Sequence, residues 1–175
     1  MRLVRKNLAR SALRPIGRAP PLLENISMSL ILQGVLAPED LERVRKELDE
    51  LAWSSGKRTA GAAARGVKQN LQADGGDARA QALERFVREA LYRHPMFEFA
   101  ARPARVTRLM FSRYEAGMAY GAHTDDALMG PEGDQIRTDL AFTIFLAERA
   151  RYEGGALVVE SALGEFDRVL DAKTK

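Results

Sequence analysis

His123 and Asp125 stand two positions apart in the segment Arg113–Asp126, RYEAGMAYGAHTDD. On an extended chain, residues i and i+2 share a face. An imidazole nitrogen and a carboxylate oxygen on one face can bind a borderline or hard divalent metal ion. The same pair also fits a solvated His–Asp contact in a turn, so the spacing alone leaves both readings open. By the same alternation Asp126 turns to the other face. His94 is the only other histidine, and it precedes Pro95. At the end of a helix its imidazole is placed to meet the last carbonyl groups. The absence of cysteine excludes disulfides, thiolate metal sites and a cysteine nucleophile.

The elements that must position these groups are legible in part. Ser29–Val35 (SLILQGV) has strand character. Pro38 and Glu39 open a helix, since proline suits a first turn. Leu41, Val44, Leu48 and Leu51 form one apolar face of it. Trp53 follows, and Ser54-Ser55-Gly56 ends the element. Residues 56–77 read as loop and include Lys68-Gln69-Asn70. A second helix runs from about Ala78 to Arg93, with Leu83, Phe86, Val87, Ala90 and Leu91 on one side. His94-Pro95 stops it. After Pro103 the period shifts to that of strands: Val106–Tyr114, Leu140–Leu146 (buried on both faces), Ala156–Glu160 after Gly154-Gly155, and Glu165–Leu170. Asp139 reads as the start of a strand. Helices followed by short strands imply an α+β fold, the helices flanking a β-sandwich or jelly roll.

The chain has 175 residues, 46% hydrophobic and 29% charged, a mixture and length that suit one globular domain. No run approaches the roughly 18 apolar residues of a membrane span. Six basic residues and one acid lie in residues 1–27, leaving 21 basic and 23 acidic residues in the rest. The high pI therefore belongs to the leader, and nucleic acid is not an expected partner of the folded body. The leader, broken by Pro15, Pro20 and Pro21, reads as a targeting presequence, a basic flexible arm or upstream translated sequence, with Met28 a more ordinary start. A basic arm binding nucleic acid through residues 1–18 is the weakest functional reading. Lacking a secretory signal and disulfides, the protein is expected in the cytoplasm.

Three ordered blocks narrow the function. R-Y-x-x-G-x-x-Y-x-x-H-x-D spans Arg113–Asp125, R-T-D-L-x-x-T-x-F-L spans Arg137–Leu146, and Y-x-G-G-x-L-V-V spans Tyr152–Val159. Together they resemble the 2-oxoglutarate- and Fe(II)-dependent dioxygenases, most closely the bacterial PKHD-type hydroxylases, relatives of the prolyl 4-hydroxylase catalytic domain. Trp53 and Lys68-Gln69-Asn70 resemble that family's N-terminal part, so the likeness covers about residues 28–170.

The resemblance implies a double-stranded β-helix (jelly roll, cupin-like) with flanking N-terminal helices. It implies Fe(II) (Fe2+) as metal, 2-oxoglutarate and dioxygen as cosubstrates, and L-ascorbate as reductant. His123 and Asp125 match two iron ligands. Tyr114 matches a tyrosine that approaches 2-oxoglutarate, and Tyr120 would line the same pocket; each also fits a core aromatic on a strand. The family's third ligand, a histidine, and its 2-oxoglutarate arginine belong after Tyr152–Leu170. No histidine follows His123, and Arg168 lies before the expected position. The expectation is therefore a domain over residues 28–175 lacking its last strands, poorly soluble alone or in need of a partner. A hydroxylase of the family is one reading. An inactive remnant or interaction protein of the same fold is the other, and a homo-oligomer stays open.

Overall fold

Pro38 and the acidic Glu39 and Asp40 start helix α1 (Pro38–Asp49) without any side-chain cap. Proline's fixed φ and the favourable meeting of carboxylates with the positive helix end serve instead. The apolar stripe buries Leu41, Val44 and Leu48. These coordinates come from a computed structural model that describes residues 30–148, 151–161 and 164–168; the leader and residues 169 and 170 lie outside them.

Helix α3 (Ala78–Arg93) begins where the Asp77 carboxylate accepts the backbone N–H groups of Arg79 and Ala80. It supplies Ala80, Leu83 and Val87 to a shared core with Val44, Leu48, Leu51 and Leu109. Pro95 then restarts the chain as α4 (Pro95–Ala101). Between them His94 contributes its backbone N–H to Leu91 O. Its ring does not meet the helix carbonyls, as its position suggested. Nε2 lies 2.9 Å from the carbonyl oxygen of Gln33 instead, tying down the N-terminal segment.

The helices lie against an antiparallel sheet of β1 (Trp53–Ser55), β2 (Leu71–Ala73) and β3 (Ser112–Arg113), in the order β1-β2-β3. Trp53 pairs with Ala73, and Leu71 with Arg113. Arg113 also locks this sheet to α1. Its guanidinium lies 4.2 Å from the centroid of the Trp53 ring and donates to Asp49 at 2.8 Å. The expected loop over residues 56–77 is thus structured: β1 and β2 flank a 3-10 turn (Gly56–Thr59) and a one-turn helix α2 (Ala62–Arg65). Its small polar residues concealed β2, which pairs on one side with β3, some forty residues further on.

Three other strand expectations change. Residues 30–35 form no strand, and Leu30 is exposed. In Val106–Tyr114 only Ser112–Arg113 joins the sheet, although Val106, Leu109 and Phe111 pack on the core. Leu140–Leu146 has no ladder partner among the described residues, and Leu140 is exposed. Its alternate residues Phe142, Ile144 and Leu146 pack on the core, with Phe142 edge-on to Phe97. One-face packing replaces the expected burial on both.

Two hairpins complete the α+β architecture. β4 (Leu128–Met129) pairs with β5 (Ile136–Arg137), and β6 (Leu157–Ser161) with β7 (Gly164–Arg168). Gly154 and Gly155, at φ 72° and 67°, make the left-handed turn that leads into β6, a conformation that penalises any Cβ. The described strands form three separate antiparallel sheets; they do not by themselves close a jelly roll.

Candidate functional site

The H-x-D segment is held by a strand-like contact that extends β2 backwards. Lys68 pairs antiparallel with Tyr120. Gln69 N–H donates to Ala119 O, and Gly121 N–H to Val67 O, both at 2.8 Å. The approach is close because residue 121 is glycine. A Cβ there would stand 3.0 Å from Val67 Cβ and 3.6 Å from Val67 O.

Beyond this pairing His123 turns inward, its side chain 5% exposed. Nδ1 lies 2.7 Å from the carbonyl oxygen of Gly121. A carbonyl only accepts, so Nδ1 carries a proton, and in the neutral ring Nε2 then presents a lone pair. That Nε2 is buried and makes no hydrogen bond. Asp125 Oδ1 stands 3.6 Å from it, too long for a hydrogen bond. A metal-binding histidine typically has this arrangement, one nitrogen anchored to backbone and the other bare beside a carboxylate. The donors, borderline nitrogen and hard oxygen, suit a divalent first-row ion such as Fe(II). Among the described residues, no group of three or more His, Cys, Asp or Glu gathers around a common point.

Tyr120 covers the imidazole: the two rings stack with centroids 3.6 Å apart and planes 14° apart. Lys68 Nζ lies 5.3 Å from the Tyr120 centroid on the same ring system and donates to Thr59 Oγ1 at 2.9 Å. Thr59 in turn meets Gln72 Oε1. Tyr114 is half-exposed and joins the cluster through its hydroxyl, which accepts from Asn70 Nδ2 at 3.2 Å. The expected pair His123 and Asp125 therefore comes together with Tyr120, while Tyr114 is placed by its contact with Asn70. Asp126 is exposed and its carboxylate faces Gly61. Asp139 pairs with Arg137 at 2.8 Å.

Sequence reasoning gave no role to the polar wall of this site. Lys68, Asn70 and Gln72 are 3%, 4% and 6% exposed, alternate members of one extended segment. Burial of three such groups is costly unless each finds partners. A signal was available: polar residues at i, i+2 and i+4 are a period-2 face. Gly56 makes room for it, since a Cβ at residue 56 would overlap Asn70 Oδ1.

Fold and geometry together define an α+β protein whose buried imidazole turns a bare nitrogen toward a carboxylate. Comparison with curated proteins then identifies its relatives. The chain is 44% identical over 138 residues to a PKHD-type hydroxylase of Thioalkalivibrio sulfidiphilus. It is 48% identical over 140 residues to one of a Picosynechococcus species and 43% identical over 138 residues to one of Synechococcus elongatus. These matches cover 79–80% of this chain and 62% of each relative. The chain is related to the PKHD-type hydroxylases across four-fifths of its length, as the motif blocks indicated. No family model matches it.

Proposed function

We propose that the chain carries the metal-binding segment of an Fe(II)- and 2-oxoglutarate-dependent hydroxylase, with His123 and Asp125 as two of the iron ligands. The observation that carries this is the orphaned, buried Nε2 of His123, 3.6 Å from Asp125 Oδ1. Relatedness to proteins named hydroxylases supports it. On this reading the antiparallel hairpins belong to a double-stranded β-helix, and the protein works in the cytoplasm with L-ascorbate keeping the iron reduced.

When bound, iron with the keto acid supplies the oxidising power that couples decarboxylation of 2-oxoglutarate to hydroxylation of a C–H bond. This chain's residues do the positioning. The Gly121 carbonyl fixes the His123 tautomer, so that Nε2 is available as donor. Stacking on Tyr120 restricts rotation of the ring. The Asp125 carboxylate brings one negative charge to the ion. Tyr114 and Asn70 offer a hydroxyl and an amide to a carboxylate-bearing cosubstrate.

Anaerobic addition of Fe(II) and 2-oxoglutarate tests the assignment. The expected result is a visible charge-transfer absorption, followed by succinate formation when oxygen is admitted with ascorbate present. Both are expected to vanish in His123→Ala and Asp125→Ala. A second reading, a non-catalytic interaction protein of the same family, draws on the absence of a third clustered donor among the described residues. It requires that neither absorption nor succinate be seen while the protein remains folded.

A further inference from the structure

The segment between β1 and β2 carries an unneutralised positive concavity. Lys57, Arg58 and Arg65 line a shallow hollow that is wide open to solvent. All three are exposed, and none forms an ion pair among the described residues. Arg65 donates only to the carbonyl oxygen of Ala60. Most other arginines of the described body do find acids: Arg43, Arg45, Arg88, Arg105, Arg113 and Arg137 are examples. Leaving three cations unpaired around one hollow sets up a local positive potential that attracts anions.

A chain of contacts links the segment that carries this hollow to the site. Thr59, next to Arg58, accepts from Lys68, which lies over Tyr120, which stacks on His123. Gly61 faces the carboxylate of Asp126, one residue past the proposed ligand.

We propose that Lys57, Arg58 and Arg65 form a recognition subsite for an anionic group, a carboxylate or phosphate, on a small-molecule substrate. The proposal rests on the hydroxylase reading for the word substrate, though the anion site itself does not require iron.

The test uses the full chain, metal-free, at ionic strength held constant with sodium chloride. Inorganic phosphate and citrate are titrated separately while backbone amide shifts are followed by NMR. Saturable shifts confined to residues 56–66 are expected. Arg58→Ala/Arg65→Ala should weaken binding about tenfold. The control Lys46→Ala/Arg85→Ala, which removes two exposed cations elsewhere, should leave it unchanged. Mn(II) binding should be equal in wild type and the Arg58/Arg65 variant, which separates failure of this subsite from failure of the metal assignment. Linear, unsaturated shifts, or equal loss in the control, would overturn the proposal. Tighter binding of 2-oxoglutarate than of either probe would reassign the hollow to the cosubstrate. Tighter binding of an acidic hexapeptide would overturn the small-molecule class.

Discussion

Tyr120 and His123 lie face to face, their ring centroids 3.6 Å apart and their planes 14° from parallel. The three-residue separation brings a rigid aromatic plate against the imidazole whose Nδ1 is already anchored to Gly121. Ring orientation is therefore held from two directions, by a hydrogen bond in the plane and by a surface across it.

Removing the plate should loosen the proposed metal site without abolishing it. Tyr120→Ala is expected to weaken Mn(II) binding by about 0.5–1.5 kcal/mol, the range of an aromatic pair. Tyr120→Phe retains the stacked face and should bind within about twofold of wild type. Titration followed by electron paramagnetic resonance of free Mn(II) measures both. Equal loss in the two variants would show that the hydroxyl, not the stack, matters.

Gly56 and Asn70 should be energetically coupled. A Cβ at residue 56 overlaps Asn70 Oδ1 and stands 3.2 Å from Gln72 Cγ. Gly56→Ala is expected to cost about 1–3 kcal/mol, the usual penalty of overpacking. In the double variant with Asn70→Ala the overlap with residue 70 disappears and only the Gln72 contact remains, so the loss should fall short of the sum by about 1 kcal/mol or more. Denaturant unfolding of the four proteins gives the cycle, and strict additivity would count against the contact.

Glu84 is a buried acid with a structural task. Its Oε1 accepts the Leu109 N–H at 2.9 Å and also pairs with Arg88. Glu84→Ala leaves a buried N–H without its acceptor and should cost about 2–4 kcal/mol. Glu84→Gln keeps a carbonyl acceptor and should cost less than half as much. Thermal unfolding distinguishes the two, and a neutral Glu84→Ala would remove this tie between α3 and the chain before β3.

Arg45 pins the segment that precedes β6. It donates to the carbonyl oxygen of Leu146 and pairs with Glu148 at 3.2 Å. Arg45→Met keeps the aliphatic stem and deletes the donors. Amide hydrogen exchange over residues 142–148 should accelerate about tenfold, reflecting the loss of roughly one charged hydrogen bond. Unchanged exchange would mean that Phe142, Ile144 and Leu146 hold the segment by packing alone.

Helix α1 and helix α3 were legible because their apolar residues recur at the helical period and prolines mark the start of the first and the end of the second. The H-x-D spacing and the paired glycines before β6 were legible for a similar reason: both are local. Strand length was not. Val106–Tyr114 has the composition of a strand, yet only two of its residues reach a partner, Leu71 and Gln72, some forty positions away. A ladder depends on the other chain segment, and composition carries no record of where that segment lies.

By itself the sequence determined which groups could ligate a metal and which family the chain resembles, since residue type and short spacing are written in it. Only the tertiary structure decided that Lys68, Asn70 and Gln72 would be buried together, and that His123 would leave Nε2 and not Nδ1 without a hydrogen bond. Those outcomes turn on a backbone pairing between residues 67–69 and 119–121. Burial and tautomer are set by what stands opposite a side chain in space, and about fifty residues of intervening chain separate these neighbours.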